Sequence, residues 1–109
     1  MKIKSKIWIE SEEGVLSSEG RVQLLKLIDE TGSLNKAAKA MNLSYQKAWM
    51  LVDESNKAAS SPLITTQIGG SKGGGTVLTP YGKSLIASFE SINRACWDFL
   101  DEQIKKHNL

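Results

Sequence analysis

The sequence predicts a mainly α-helical fold with a small amount of β structure, and three features carry this prediction. Residues 32–52 have the spacing of two short helices joined by a tight turn. Two short β-prone segments with glycines between them follow at 63–79. Residues 80–107 then form one long segment with an apolar stripe at helical spacing. This order of elements predicts a winged helix-turn-helix with a long C-terminal helix, built as a single domain over residues 1–109.

The N-terminal residues predict a short β-hairpin and then the first helix. From Lys2 to Glu10 isoleucine or serine alternates with charged residues and tryptophan, which is the period-two pattern of a half-buried strand. After a turn at residues 13–14, we interpret residues 15–17 as a return strand. From about Ser18 the apolar residues recur at helical spacing up to Gly32. The expected inward positions of this first helix are Val22, Leu24, Leu25, Leu27 and Ile28.

Two serines predict the starts of the second and third helices. Ser33 and Ser44 are suitable N-caps, and Asn42 between them tolerates the left-handed conformation that a short turn requires. Small or apolar residues fall on the expected inner faces, namely Leu34, Ala37, Ala38 and Met41 on the second helix and Ala48 and Val52 on the third. The third helix, about residues 44–59, therefore takes the place of a recognition helix.

The predicted wing leads into the last helix. Residues 63–68 and 76–79 suit two strands, and five glycines lie within residues 69–75 between them. Thr79 and Pro80 form an N-cap followed by proline at the first helical position, so a helix is expected over residues 80–107. A heptad-spaced seam on this helix predicts a dimerisation surface made of Leu85, Phe89, Ile92, Cys96 and Phe99.

Composition excludes several classes of protein. A chain of 109 residues with 40% hydrophobic and 24% charged residues suits one globular domain. The chain has one cysteine, Cys96, and one histidine, His107. Because these are too few for an internal disulfide or a structural zinc site, we expect neither. Neither a membrane span nor a signal peptide is visible, so we expect a cytoplasmic protein. No paired carboxylates and no nucleophile beside a histidine stand out, so we expect neither an enzyme nor a cofactor.

The charge is unevenly distributed along the chain. The formal net charge is +2, but residues 31–89 carry six lysines against two acids, Asp53 and Glu54. These lysines, which we call the basic zone, are Lys36, Lys39, Lys47, Lys57, Lys72 and Lys83. A solvated lysine face is the alternative interpretation. The coincidence of the basic zone with the predicted recognition helix and wing favours contact with nucleic acid.

Lysines and polar residues near the serine caps are the candidate contacts with DNA. Lys36 and Lys47 occupy the third position after a cap, where a helix N-terminus normally favours Glu or Gln. Two exposed lysines of small energetic consequence are one explanation, and a phosphate bound by helix N–H groups beside an ammonium group is the other. Gln46 suits paired hydrogen bonds to adenine. Trp49 has two interpretations, packing against a neighbouring helix or contact with DNA.

The glycine-rich residues 69–75 suit a wing better than a nucleotide site. No glycine-lysine-serine/threonine triplet is present, and the segment joins two strands where a nucleotide loop would open a helix. As a wing, its backbone amides would approach the phosphate backbone or the minor groove. The complete set of predicted DNA-binding positions is Ser33, Lys36, Ser44, Tyr45, Gln46, Lys47, Trp49, Lys72, Gly73, Gly74, Gly75 and Thr76.

Several motifs between residues 32 and 82 match one known pattern. They are the Ser44–Tyr45 and Ala48–Trp49 pairs, Asn56, the GGSKGGG segment at 69–75 and the TPYG segment at 79–82. With them, the chain closely resembles the N-terminal winged-helix domain of ModE-type molybdate-responsive transcription regulators, which is related to the LysR-type DNA-binding domain. The resemblance implies a homodimeric, sequence-specific DNA-binding regulator that dimerises largely through its last helix.

The predicted function is therefore the binding of double-stranded DNA as a homodimer to regulate transcription. A winged-helix module used for protein contact and a nucleotide-binding enzyme fragment built on the glycine loop are the alternatives. Full-length ModE proteins resemble this domain followed by oxyanion-binding domains, and residues 1–109 include no such domain. We accordingly do not expect molybdate to bind this chain.

Overall fold

The computed structural model describes residues 1–67 and 75–109. Its elements are, in chain order, β1 (Trp8–Ser11), β2 (Gly14–Ser18), α1 (Glu19–Thr31), α2 (Leu34–Ala40), α3 (Tyr45–Ala58), β3 (Ile64–Gln67), β4 (Gly75–Leu78) and α4 (Pro80–Lys106). β1 pairs with β2 and β3 pairs with β4, both antiparallel, as two separate sheets. The mainly helical fold class with a small strand pair before a long last helix is confirmed.

The predicted alternation of half-buried and exposed residues from Lys2 to Glu10 is confirmed, but the strand is shorter than predicted. Ile3, Ser5, Ile7 and Ile9 are half-buried, and the residues between them are exposed. The ladder begins at Trp8 and not at Lys2, because β2 supplies only five residues for pairing. The residues before Trp8 instead pass beside α4, where the Ser5 hydroxyl lies 3.5 Å from the Cys96 Sγ.

The predicted helix boundaries are confirmed, because they depend on local capping. Gly32 ends α1 with a φ of 68°, and its N–H donates to the Ile28 carbonyl at 2.8 Å. Asn42 adopts a φ of 57° in the turn between α2 and α3, as its short polar side chain allows. The Thr79 side chain accepts the Gly82 N–H at 2.9 Å and caps α4.

Two apolar clusters hold these elements together. The first joins α1, α2 and α3 and consists of Leu24, Ile28, Leu34, Ala37, Ala38, Ala48 and Val52. Its three alanines are fully buried, so the helices of the helix-turn-helix cross closely. The second joins α1, the wing and α4 and consists of Leu25, Leu63, Leu78 and Leu85. Gly82 makes this second junction possible, because a Cβ there would collide with the Leu63 carbonyl oxygen.

The apolar seam of α4 is divided between the core and the surface. Leu85 and Phe89 are 7% and 2% exposed, so the expectation that they lie on an open dimerisation stripe is wrong. The reason is geometric: at this level of α4 the stripe faces α1 and the wing, which cover it. Further along, Ile92 and Phe99 are 50% and 58% exposed and Cys96 is half-buried. The stripe therefore continues past the region of α4 that α1 and the wing cover.

Candidate nucleic-acid interface

The N-termini of α2 and α3 have the capped geometry that the sequence predicts. The Ser33 Oγ accepts the Lys36 N–H at 3.1 Å, and the Ser44 Oγ accepts the Lys47 N–H at 3.0 Å. Neither helix has an acid in its first turn, so the positive end of each helix dipole is not compensated there. Both lysine side chains are exposed. Each helix start thus has the uncompensated positive end and the exposed lysine on which the predicted phosphate contact depends, and that contact stays a prediction.

The first half of α3 presents large side chains to solvent. Tyr45 and Trp49 are 53% and 50% exposed, and Gln46 is exposed between them along the helix. Half of the Trp49 surface is open, so the interpretation of this residue as part of the core is wrong. Met50 is 54% exposed on the same helix. The sequence alone does not single out Met50, because methionine at helical spacing is usually a core residue.

Arg21 of α1 fixes the position of α3. Its Nη2 lies 2.6 Å from the Glu54 Oε1, and its Nη1 donates to the Ser55 Oγ at 3.1 Å and to the Leu51 carbonyl at 3.2 Å. The same Nη1 reaches the Val15 carbonyl of β2 at 3.2 Å. The Arg21 side chain is 13% exposed, whereas the Glu54 side chain is 44% exposed, so the guanidinium is shielded from water and the carboxylate remains partly open to it. This single guanidinium joins α1, β2 and the second half of α3.

The acids of α3 are both engaged by basic side chains. A hydrogen bond and the positive charge of Arg21 lower the pKa of the Glu54 carboxyl, and the Val15 N–H and the charge of Lys47 contribute further. The Asp53 carboxylate lies 3.0 Å from the Lys57 Nζ, one helical turn away. Neither acid therefore presents an unbalanced negative charge on the helix that carries Lys47.

The described part of the wing packs against the helix-turn-helix. The Thr76 N–H donates to the Gly32 carbonyl at 3.0 Å, and a Cβ on Gly75 would approach the same carbonyl oxygen to 3.0 Å. Thr76 is 8% exposed, so its prediction as a DNA contact is wrong: β4 turns this residue toward α1. Lys72, Gly73 and Gly74, also predicted to contact DNA, lie outside the described residues.

Asn56 connects the end of α3 to the start of the wing. Its Oδ1 accepts the Leu63 N–H at 2.9 Å. The Leu63 carbonyl in turn accepts the Thr79 N–H at 2.9 Å, just before α4. A cleft of about 240 Å³ remains between α3 and the wing, with Trp49, Asn56 and Thr66 among its lining residues. The wing and α3 thus keep a defined relative position beside this cleft.

Two further observations concern the described residues, 1–67 and 75–109. They contain no group of three or more His, Cys, Asp or Glu side chains placed to hold a metal ion. None of their helices is long and apolar enough to cross a membrane.

The chain has relatives of known name over most of its length. The Molybdenum transport protein ModE of Azotobacter vinelandii is 36% identical over 100 residues, which cover 92% of this chain and 37% of that protein. The Molybdenum-pterin-binding protein MopB of Rhodobacter capsulatus is 42% identical over 89 residues, or 82% of this chain and 33% of the relative. The DNA-binding transcriptional dual regulator ModE of Escherichia coli K12 is 30% identical over 105 residues, or 94% and 40%.

The chain is a homologue of the ModE regulators. No family model matches it. The chain spans about a third of the length of the first two relatives, 37% and 33%, so the similarity concerns one part of those proteins. That part has, in this chain, the helix-turn-helix and wing described above. The resemblance to ModE-type regulators that the motifs of residues 32–82 predict is confirmed.

Proposed function

We propose that this chain is a sequence-specific, double-stranded DNA-binding regulator of transcription that acts as a homodimer in the cytoplasm. The N-terminal half of α3 enters the major groove, and the glycine-rich residues 69–75 contact the phosphate backbone or the minor groove. The function is binding, with no chemical step on the DNA. Homology to proteins named as transcriptional regulators supports this proposal.

The observation that carries the proposal is the open N-terminal half of α3. Tyr45, Gln46 and Lys47 are exposed at a helix end that has no acid in its first turn. Their support is rigid, because Arg21 and the buried Ala48 and Val52 fix α3 against α1 and α2. Polar and aromatic side chains at the start of a rigid helix, beside lysines, are suited to phosphate and base-edge contacts.

The dimer would form through the part of α4 that extends past the domain core. Ile92 and Phe99 are the exposed apolar residues of the seam, and Cys96 lies between them. A second copy packed on a two-fold axis would bury both residues from each subunit. Each of these side chains is already about half covered in one subunit, so its burial contributes about half of the 1.5 to 3 kcal/mol of a fully buried large side chain, and the four together offset part of an association penalty of several kcal/mol.

Salt-dependent binding to duplex DNA tests this function. A fluorescently labelled random-sequence duplex is titrated with the protein at several salt concentrations, and its anisotropy is recorded. We expect affinity to fall steeply with salt, because lysines that replace condensed cations release them. An absence of duplex binding at low salt would contradict the proposal and favour a winged-helix module that binds protein.

A further inference from the structure

We infer that Met50 is a specificity-determining residue that reads the C5 methyl group of a thymine in the major groove. This inference rests on the proposed DNA-binding function. Met50 lies one helical turn after Gln46, so the two side chains share one face of α3. Gln46 suits hydrogen bonding to adenine, whereas a thioether side chain suits an apolar group. The two residues would therefore read different chemical features of neighbouring base pairs.

The exposure of Met50 is the first observation behind this inference. The side chain is 54% exposed, and it belongs to neither apolar cluster formed by the described residues. The next two residues differ from it, because Leu51 packs against the first cluster and Val52 belongs to it. The domain thus leaves the large apolar side chain of Met50 uncovered on the surface of α3.

The side chains around Met50 favour DNA as the molecule that covers it. Tyr45 and Trp49, also about half exposed, stand on the same half of α3. The lysines at 36 and 47 carry exposed positive charges at the helix starts, whereas Asp53 and Glu54 are paired with Lys57 and Arg21. The positive charge of this face of α3 complements a polyanion such as DNA. The thymine methyl is the apolar feature that the major groove of DNA presents, and it suits the apolar side chain of Met50.

The interaction has a defined chemical basis. Thymine differs from uracil by one methyl group, so replacing thymine by deoxyuridine removes the apolar feature and keeps the hydrogen-bonding pattern of the base pair. Burying one methyl-sized group contributes about 0.8 kcal/mol, which corresponds to about a fourfold change in affinity. Methionine is flexible and polarisable, and its thioether and terminal methyl conform readily to such a group.

The test is a double-mutant cycle between the protein and the DNA. The preferred site is first selected from random duplex DNA, and each thymine in one half-site is then replaced by deoxyuridine. For the wild-type protein we expect about a fourfold loss of affinity at one or more of these positions. For Met50→Ala that loss disappears, and for Met50→Leu, which keeps an apolar side chain, most of it is retained. Leu109→Ala is the control, because Leu109 is also an apolar side chain, is 65% exposed and is distant in sequence from α3.

The outcomes separate this inference from the function on which it rests. An equal uracil penalty in wild-type protein and Met50→Ala would overturn the assignment of the methyl contact to Met50. Wild-type protein indifferent to every uracil substitution would overturn it as well, while selective DNA binding would leave the proposed function in place. If neither protein bound duplex DNA at low salt, the proposed function itself would fail. Circular dichroism of each variant shows that the helices are retained.

Discussion

Arg21 and Glu54 form the contact that ties the candidate recognition helix to the rest of the domain. The Nη2 of Arg21 lies 2.6 Å from the Oε1 of Glu54, and the two residues come from α1 and α3. The Glu54 Oε2 also faces Gly14, where an added Cβ would lie 2.8 Å away. α1, α3 and the N-terminal hairpin therefore meet at one carboxylate, and its ionisation is linked to the stability of that junction.

The Arg21–Glu54 contact predicts a specific response to acid. Because Arg21 lowers the pKa of Glu54 below its ordinary value of 4.5 in the folded protein, folding favours the ionised form. The resulting stability is fully present above the unfolded pKa and is lost as the pH falls through the folded pKa. We expect Glu54→Gln to be less stable than wild type at pH 7 and to lose less stability between pH 5 and pH 3, measured by urea unfolding.

A matched control for this experiment is Glu90→Gln. Glu90 pairs with Lys26 at 2.9 Å, and both side chains are about half exposed, at 52% and 49%, whereas the Arg21 partner of Glu54 is only 13% exposed. Exposed ion pairs contribute little, so this variant should follow the wild-type acid response closely. Identical pH profiles for Glu54→Gln and wild type would show that the Arg21 contact does not stabilise the fold.

Lys47 and Gln46 should differ in how they contribute to DNA binding. Lys47→Ala is expected to weaken binding to every sequence and to reduce the salt slope by about one unit, because one phosphate contact is lost. Gln46→Ala should weaken binding to the preferred site by about 1 to 3 kcal/mol and leave random DNA nearly unaffected. Anisotropy titrations on both DNAs at several salt concentrations measure these effects. If both variants bound the preferred site and random DNA as tightly as wild type, α3 would not be the helix that reads the DNA sequence.

Dimerisation through α4 predicts the effect of charge on its exposed seam. Aspartate at both Ile92 and Phe99 should give monomers by sedimentation, and these should lose specific DNA binding far more than nonspecific binding. The fold should be retained, because both residues are at least half exposed in one subunit. Phe89 is unsuitable for this test, since it is 2% exposed and its substitution would disrupt the core.

The control for the seam is Ala87→Asp. Ala87 is exposed and lies on the opposite face of α4, and its replacement adds one negative charge away from the seam, against the two of the double variant. This variant should keep the wild-type oligomeric state. Wild-type protein that sediments as a monomer at high micromolar concentration would contradict the dimer.

Two glycines predict opposite changes in stability when replaced by alanine. At Gly82 a Cβ would collide with the Leu63 backbone carbonyl, so α4 must move from the wing junction, and we expect a loss of about 1 to 3 kcal/mol. Gly20 lies in α1 with open space around its Cα, so alanine there should stabilise the protein by about 0.5 kcal/mol. Thermal unfolding compares the two. A neutral Gly82→Ala would show that the close approach of α4 to Leu63 is not required.

Local signals account for the parts of the fold that the sequence predicts well. Ser33, Ser44 and Thr79 each bond to an N–H three residues later, and such caps can be inferred from neighbouring residues alone. Leu85 and Phe89 were harder to assign, because helical spacing identifies an apolar stripe but not the neighbour that covers it.

The candidate site was predicted less completely than the fold. The partners Arg21 and Glu54 are 33 residues apart, and no spacing rule relates them. Thr76 suited a wing contact by position, yet the register of β4 turns it inward. Met50 was missed because its exposure depends on which face of α3 packs against α1 and α2. Each of these properties arises from tertiary contacts.

If the α3 helices of two subunits read DNA together, selection of bound duplexes from a random pool will show it in the sequence of the selected sites. We expect an enriched inverted repeat whose half-sites are separated by about one turn of DNA or a multiple of it. Aspartate at both Ile92 and Phe99 should abolish the enrichment of paired half-sites. A pool that remains random after repeated selection at low salt would contradict sequence-specific binding, and a single unpaired half-site with wild-type protein would contradict reading by a dimer.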